Sequence, residues 1–465
     1  MCVLRRIRRG AGIILCVMMM TTGCGQPAAQ LEGALPPQEE AVEVATETPT
    51  PTPTVEVVVE TVDPTEEPTE TPTPTPTPEE VIETASLPTL DSNMRGVWVA
   101  TLRNIDYPNT ATTNSESLKA EADNIIANCA AMGINNIFLQ VRPTSDAFYK
   151  SNIYPWSKYC TGAQGVAPDN DFDPLTYWIK QCHNNGIKLH AWINPYRVTR
   201  DNDAFDTEYV NLPASNPAKQ HPEWLVRHKD NYYFNPAIPE VRQLVTDGVM
   251  EIVNNYDIDG IHFDDYFYPN ESGEAFNDDA SFIAYNNGFS NKADWRRNNV
   301  NLLVQSLNPA IKAAKPNVAF GISPCGIWAN KKNNPAGSDT NGMEAYNQLF
   351  ADTRMWAQSE WIDYIAPQLY WTIGYSKADY AILANWWSNQ VAGSSTRLYI
   401  GLADYRTFET DASSDWYQDK GVNMIAREME INATSSEIDG EIHYNYSSLS
   451  GNQALRNYVT GVYKN

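Results

Sequence analysis

Basic and imidazole side chains are scarce in this chain. Its 465 residues hold 33 Lys and Arg against 57 Asp and Glu, a formal charge of −24, and only 6 His. With no basic stripe to neutralise phosphates, nucleic acid is argued against as a partner. Cysteine is thin as well. After Cys24 come only Cys129, Cys160, Cys182 and Cys325, widely spaced and without a CxxC pair, so neither a zinc site nor a disulfide framework is expected. His190, His262 and an aspartate could be imagined as ligands, but no HxxxH or clustered spacing supports a metal. No GxGxxG turn follows a strand pattern, and no cofactor is expected. Long apolar runs are also missing. The best, Ala11 to Met20, is about half of the roughly 20 residues that a membrane span needs.

What is present divides the chain in three. Arg5, Arg6, Arg8 and Arg9 precede that apolar run, and Thr21-Thr22-Gly23-Cys24 follows it, the layout of an export signal. The small residues ending in Cys24 resemble a bacterial lipobox, which implies a signal peptide over 1–23, a lipid on Cys24 and anchorage to the outer face of the cytoplasmic membrane. Ordinary cleavage nearby and release is the alternative. Residues 31–90 then hold 12 of the 30 prolines and 14 acidic residues, with no Lys or Arg. Such a segment cannot bury a core, and its Thr-Pro repeats favour extended polyproline II. Residues 24–90 therefore read as a disordered Pro/Thr/Glu-rich tether, reaching on the order of 180 Å if its last 60 residues extend fully. The remaining 91–465 read as one folded, acidic domain.

Within that domain, apolar runs and helical periodicity alternate. Strands are predicted at 95–101, 136–142, 188–194, 260–267, 318–324, 363–370, 397–404 and 440–446, separated by helices at 115–132, 174–185, 239–256, 292–314, 343–358, 378–391, 415–431 and 452–462. Eight such units in alternation predict an α/β fold, the (β/α)8 TIM barrel, over an open doubly wound sheet. The connection 198–234 is too long to be bare and is expected to cover the barrel mouth.

In a barrel the chemistry lies at the carboxyl ends of the strands, and those ends are polar here. Strand two closes on Arg142 and Asp146; strand three on His190, Trp192, Asn194, Tyr196 and Arg197; strand four on His262, Asp264, Asp265 and Tyr266; strand six on Gln368 and Tyr370; strand seven on Asp404. Carboxylates beside aromatic rings and amides are what a sugar site needs: an acid for the leaving oxygen, a base or stabiliser, and rings against the pyranose. Asp264 and Asp265 are the candidate catalytic pair, because two carboxylates closing an apolar strand are costly unless solvated, paired or used. The other named residues are candidate substrate contacts, and Asp146, Asp404 and Glu441 are next in line for the acid. Each has a plainer reading: Asp259 as turn chemistry, His262 as a hydrogen-bonded core residue, Arg142 and Arg197 as internal ion-pair partners, and Trp386 and Trp387 as packing.

Five segments in order, Met94–Thr101, Leu139–Tyr149, His190–Arg197, Asp259–Pro269 and Ile365–Trp371, resemble the bacterial glycosyl-hydrolase-like family ten. The resemblance runs from Asn93 to the end of the chain. It implies a (β/α)8 glycosidase, with lipoprotein members implicated in cleaving the glycan strands of peptidoglycan and preferring strands stripped of stem peptides. Strand four also resembles, distantly, the DGxDxDxE signature of chitinase-type barrels, with Asp259 and Asp264 matching aspartates, His262 replacing the middle one and Tyr266 standing where the acid Glu belongs. Gln368 and Tyr370 match the position from which related barrels hold an N-acetyl group. The expectation is a surface-anchored glycosidase of GlcNAc/MurNAc strands, with a polysaccharide as partner and contact with the membrane only through the lipid. Hydrolysis of another cell-surface polysaccharide, or an idle glycan-binding lipoprotein, are the rivals.

Overall fold

The computed structural model describes residues 88, 90–200, 205–264 and 267–464, without the side chains of 205 and 206. The signal peptide, Cys24, the tether, Asp265 and Tyr266 lie outside the described residues. Eight parallel strands close a barrel: β1 (Met94–Val99), β2 (Asn136–Arg142), β3 (Lys188–Ile193), β6 (Gly260–Asp264), β7 (Ala319–Ser323), β8 (Tyr364–Ile365), β9 (Arg397–Leu402) and β10 (Ile438–His443), with β10 returning to β1. The long excursion after β3 carries an antiparallel hairpin, β4 (Leu225–His228) and β5 (Asn231–Phe234). The excursion docks on the loop after β2, where the Asn216 amide donates to Ser145 O at 2.7 Å and accepts from its hydroxyl at 3.0 Å.

The helices form because each offers one apolar stripe to the barrel wall. Ser115–Met132 buries Leu118, Ala122, Ile125, Ile126, Cys129 and Met132 on one face. Asn114 caps its start by accepting from Ser117 N, and Gly133, at φ +84°, ends it. Each such aliphatic contributes about 1.5–3 kcal/mol relative to exposure. Two predicted helices are broken. The 343–358 pattern becomes Ala345–Gln348 and Thr353–Gln358, because Phe350 takes φ +52°; 415–431 becomes Asp415–Gln418 and Val422–Ala433, separated by Lys420 and Gly421 at positive φ. The predicted strand 363–370 keeps a regular ladder only over β8. Beyond it, Pro367 has no N–H to donate, and pairing continues as isolated bridges from Gln368 to Cys325 and Gly401.

Period-two alternation sorts every strand into inward and outward residues. Trp98, Phe138, Trp192, Tyr364, Tyr399 and Ile442 share the interior with His190 and His262. Large rings fit there because small residues face them. A Cβ on Gly260 would lie 2.2 Å from His190 Nδ1, and one on Gly321 would lie 2.1 Å from the Tyr364 ring. At the amino end Asp91 closes the floor: its carboxylate pairs with Lys188 at 3.1 Å and accepts from Asn136 Nδ2 at 2.9 Å, and its carbonyl accepts from Tyr399 OH at 3.0 Å.

Gly321→Ala would force Tyr364 out of its place, and the expected loss of stability is about 1–3 kcal/mol. Urea unfolding measures it. An alanine variant as stable as the parent would show that Tyr364 has room to move.

Candidate active site

The barrel interior is polar, so its buried donors and acceptors must be satisfied. They form a column in which each proton has one place. The Trp98 indole N–H, which can only donate, points at His262 Nε2 at 3.1 Å, so that nitrogen is the bare one. His262 Nδ1–H then donates to Tyr364 OH at 3.0 Å, the Tyr364 hydroxyl donates to His190 Nδ1 at 3.1 Å, and His190 Nε2–H donates to Asn136 Oδ1 at 3.2 Å. Burial holds His190 down at about 4 and His262 well below its usual value, so both are neutral.

At the mouth a second chain of amides runs from strand to strand. The backbone N–H groups of Thr101 and Leu102 donate to Gln140 Oε1 at 3.0 and 2.9 Å. That leaves Gln140 Nε2 to donate to Asn194 Oδ1 at 2.7 Å, and Asn194 Nδ2 to donate to Asp264 Oδ2 at 3.0 Å. From the other side Gln368 Nε2 donates to Asp264 Oδ1 at 3.0 Å and to Ser323 O at 3.1 Å. Ser323 Oγ sits 2.9 Å from His262 Nε2 and 3.5 Å from Asp264 Oδ1, where the column meets the mouth. Asp264 is half-buried and accepts an amide hydrogen on each oxygen, the pattern of a carboxylate held in place to face developing positive charge.

At the same carboxyl end, on the segments after β8, β9 and β10, stand three tyrosines. Tyr370 stacks on Tyr444 at 5.9 Å between centroids, and Tyr405 meets both edge-on at 5.9 and 6.0 Å. Behind two of them, on the outer side of the wall, lies a buried pair, His443 Nδ1 at 2.9 Å from Asp404 Oδ2. Burial alone would push His443 down, but the Asp404 carboxylate outweighs it and the net direction is up. Since Tyr444 follows His443 and Tyr405 follows Asp404, the pair fixes the backbone that carries both rings.

Several sequence candidates stand elsewhere. A register shift between Gln140 and Arg142 turns Arg142 out of the interior. Arg142 is 1% exposed, and its guanidinium lies 4.4 Å from the Tyr154 ring centroid and abuts Gly248 on the helix Pro239–Asn255, so it is not a mouth contact. Asp146 is buried in the loop after β2, where burial raises its carboxyl and Thr144 N donates to it at 3.2 Å. Asp404 shares its outward parity with Ile400 and Leu402, and Glu441 faces Asn432 and Tyr463 behind the wall. Tyr196 is buried against Phe267, and Arg197 pairs its backbone with Tyr233 of the hairpin. His190 and His262 belong to the column, and Trp192 is 4% exposed inside the barrel. Gln368 spends both amide hydrogens on Asp264 and Ser323, so only its oxygen remains for a substrate amide. Gln140, Ser323, Tyr364, Tyr405 and Tyr444 were not among the sequence candidates. Inward parity at a strand end was the signal available for Gln140, Ser323 and Tyr444.

An eight-stranded parallel barrel with a gripped carboxylate and aromatic rings at its carboxyl end is the architecture of a glycoside hydrolase. The glycosyl hydrolase-like 10 family model matches residues 93–419, and the chain belongs to that family. Glycosyl hydrolase YngK of Bacillus subtilis is 41% identical over 365 residues, 78% of this chain and 70% of the relative. Glycosyl hydrolase DigH of Escherichia coli is 38% identical over 369 residues, 77% and 84% of the two chains. Among solved structures, an endo-1,4-beta-mannanase from Rhizomucor miehei aligns at TM-score 0.49 and 12% identity, covering 82% of this chain and 99% of that one.

The neutral column sets a pH dependence. Between about pH 6.5 and about 4 the unfolded chain protonates His190 while the fold does not, so stability falls as pH falls through that window, by on the order of 3 kcal/mol in full. Asp106, which burial raises to about 6, acts in the opposite sense, because there the fold holds the proton. Comparing His190→Gln with the parent by urea unfolding at about pH 7 and about pH 5 separates the two. The acid-dependent loss should shrink in the variant; equal losses would count against a neutral His190.

Proposed function

We propose that this glycoside hydrolase cleaves the glycan strands of peptidoglycan, GlcNAc/MurNAc chains freed of stem peptides, while anchored to the outer face of the cytoplasmic membrane by a lipid on Cys24. The observation that carries the chemistry is Asp264 held between Asn194 and Gln368, at the same end of the barrel as the stacked Tyr370 and Tyr444. A carboxylate so fixed opposes the positive charge that develops on the sugar as the glycosidic bond breaks. The tyrosine rings take the apolar faces of the pyranoses. Asp265, next in sequence, is the partner carboxylate in this reading, with one member of the pair donating a proton to the leaving oxygen.

The substrate class rests on the five family-like segments together with the arginine-led leader and acidic, proline-rich spacer, a design suited to a wall outside a membrane. The folded domain begins at the barrel floor, where Asp91 is tied to Lys188 and Asn136, the end opposite the mouth.

Asp264→Asn keeps the size, removes the charge and sets an NH2 against one of two amide donors. Turnover on peptide-free strands, read by mass spectrometry of released products, should drop about 10² to 10⁴-fold. Near-full activity in the variant would move the role to another residue, and a wild type that binds these strands without releasing product would make the protein a binding module. Cys24→Ser should shift the protein from the membrane fraction to the medium or leave an uncleaved precursor; mature-size protein still in the membrane fraction would rule out the lipid.

A further inference from the structure

One aromatic ring at the barrel rim is used neither by the core nor by the site. Phe408 ends the 3₁₀ segment Asp404–Phe408 that leaves β9, and it is 48% exposed. Residues three apart in a 3₁₀-helix eclipse one another, so Phe408 lies on the same side of the segment as Tyr405, itself 37% exposed. The segment that carries the ring is pinned. Asp404 at the start of the segment is paired with His443, Thr407 Oγ1 donates to Asp404 O at 2.8 Å, and Asn452 Nδ2 donates to Thr407 Oγ1 at 3.0 Å. A Cβ on Gly451, at the end of the six-residue helix Tyr446–Gly451 that starts two residues beyond Tyr444, would lie 3.8 Å from Phe408 Cζ. Tyr405 in turn meets Tyr370 and Tyr444 edge-on, at 5.9 and 6.0 Å between centroids, so the segment that carries Phe408 also carries a ring of the tyrosine group.

A phenyl kept half in water on the same side of the segment as Tyr405 suits an occupant with an apolar face and a hydroxylated edge. The C–H face of a pyranose against the electron-rich face of the ring meets that description. Resting on the glycosidase reading above, we propose that Phe408, with Tyr405, forms an outer sugar-binding position on the β9 side of the mouth, so that the enzyme engages several residues of a polymer and favours long glycan chains over short ones.

Rates on short and long N-acetylated oligosaccharides test this with the full chain. The wild type should show kcat/KM rising with chain length, and in Phe408→Ala the long-to-short ratio should fall about tenfold, the equivalent of losing one aromatic stacking contact. Phe408→Trp should restore the ratio, which a merely structural role for the ring does not predict. Length-independent rates in the wild type, or a Phe408→Ala variant that keeps the parent ratio, would overturn the outer position while leaving the glycosidase reading intact. A wild type that cleaves no N-acetylated glycan of any length would instead remove the reading on which it rests.

Discussion

Hydrogen bonds have a direction, and in this barrel the direction is set from the ends. The Thr101 and Leu102 backbone N–H groups can only donate, and so can the Trp98 indole. From the first pair, Gln140 and Asn194 inherit an orientation that delivers an N–H to Asp264; from the indole, His262, Tyr364 and His190 inherit their tautomers and hydroxyl direction. Reversing any amide in the first chain would set two donors or two acceptors against each other at a nearly dry site, at a cost of about 1–3 kcal/mol. The carboxylate is thus held by groups that cannot exchange roles.

Small residues make that arrangement possible. A barrel of this size is filled by its own side chains, and two histidines with Tyr364 take up more width than the aliphatic residues usual there. Gly260 and Gly321 give the width back, at the register positions beside His190 and Tyr364. Chemistry at the mouth and packing at mid-barrel are therefore coupled through Ser323, which follows Gly321 on the same inward face and touches both His262 and Asp264.

Much of this was legible because parallel strands covered on both faces read as apolar runs, and because a polar residue closing such a run demands a reason. Asp264, Asn194, Gln368 and Tyr370 emerged on that ground, and the structure hydrogen-bonds Asn194 and Gln368 to Asp264. What failed was the assignment of inside and outside. Period two groups residues into faces without saying which face is the lumen, so Asp404, aligned with Ile400 and Leu402, passed for a mouth residue. At Arg142 the parity itself was broken by a bulge, which composition does not announce. The helix breaks at Phe350 and Lys420 were hidden for a related reason, since neither residue is one that usually takes positive φ.

The misplaced acids still have work to do in the fold. Asp404 stands behind the wall, yet its pairing with His443 holds the two backbone segments from which Tyr405 and Tyr444 reach the mouth. A buried pair is a weak source of net stability but a strong source of registry, because breaking it strands a charge. His443 is raised by that carboxylate, so the pair's contribution is present below about pH 6.5 and is lost as pH rises through the raised value. The tyrosine platform is thus tied to a group that titrates, while Asp264 is gripped by amides that do not. The sugar-stacking surface and the carboxylate answer to different parts of the same wall.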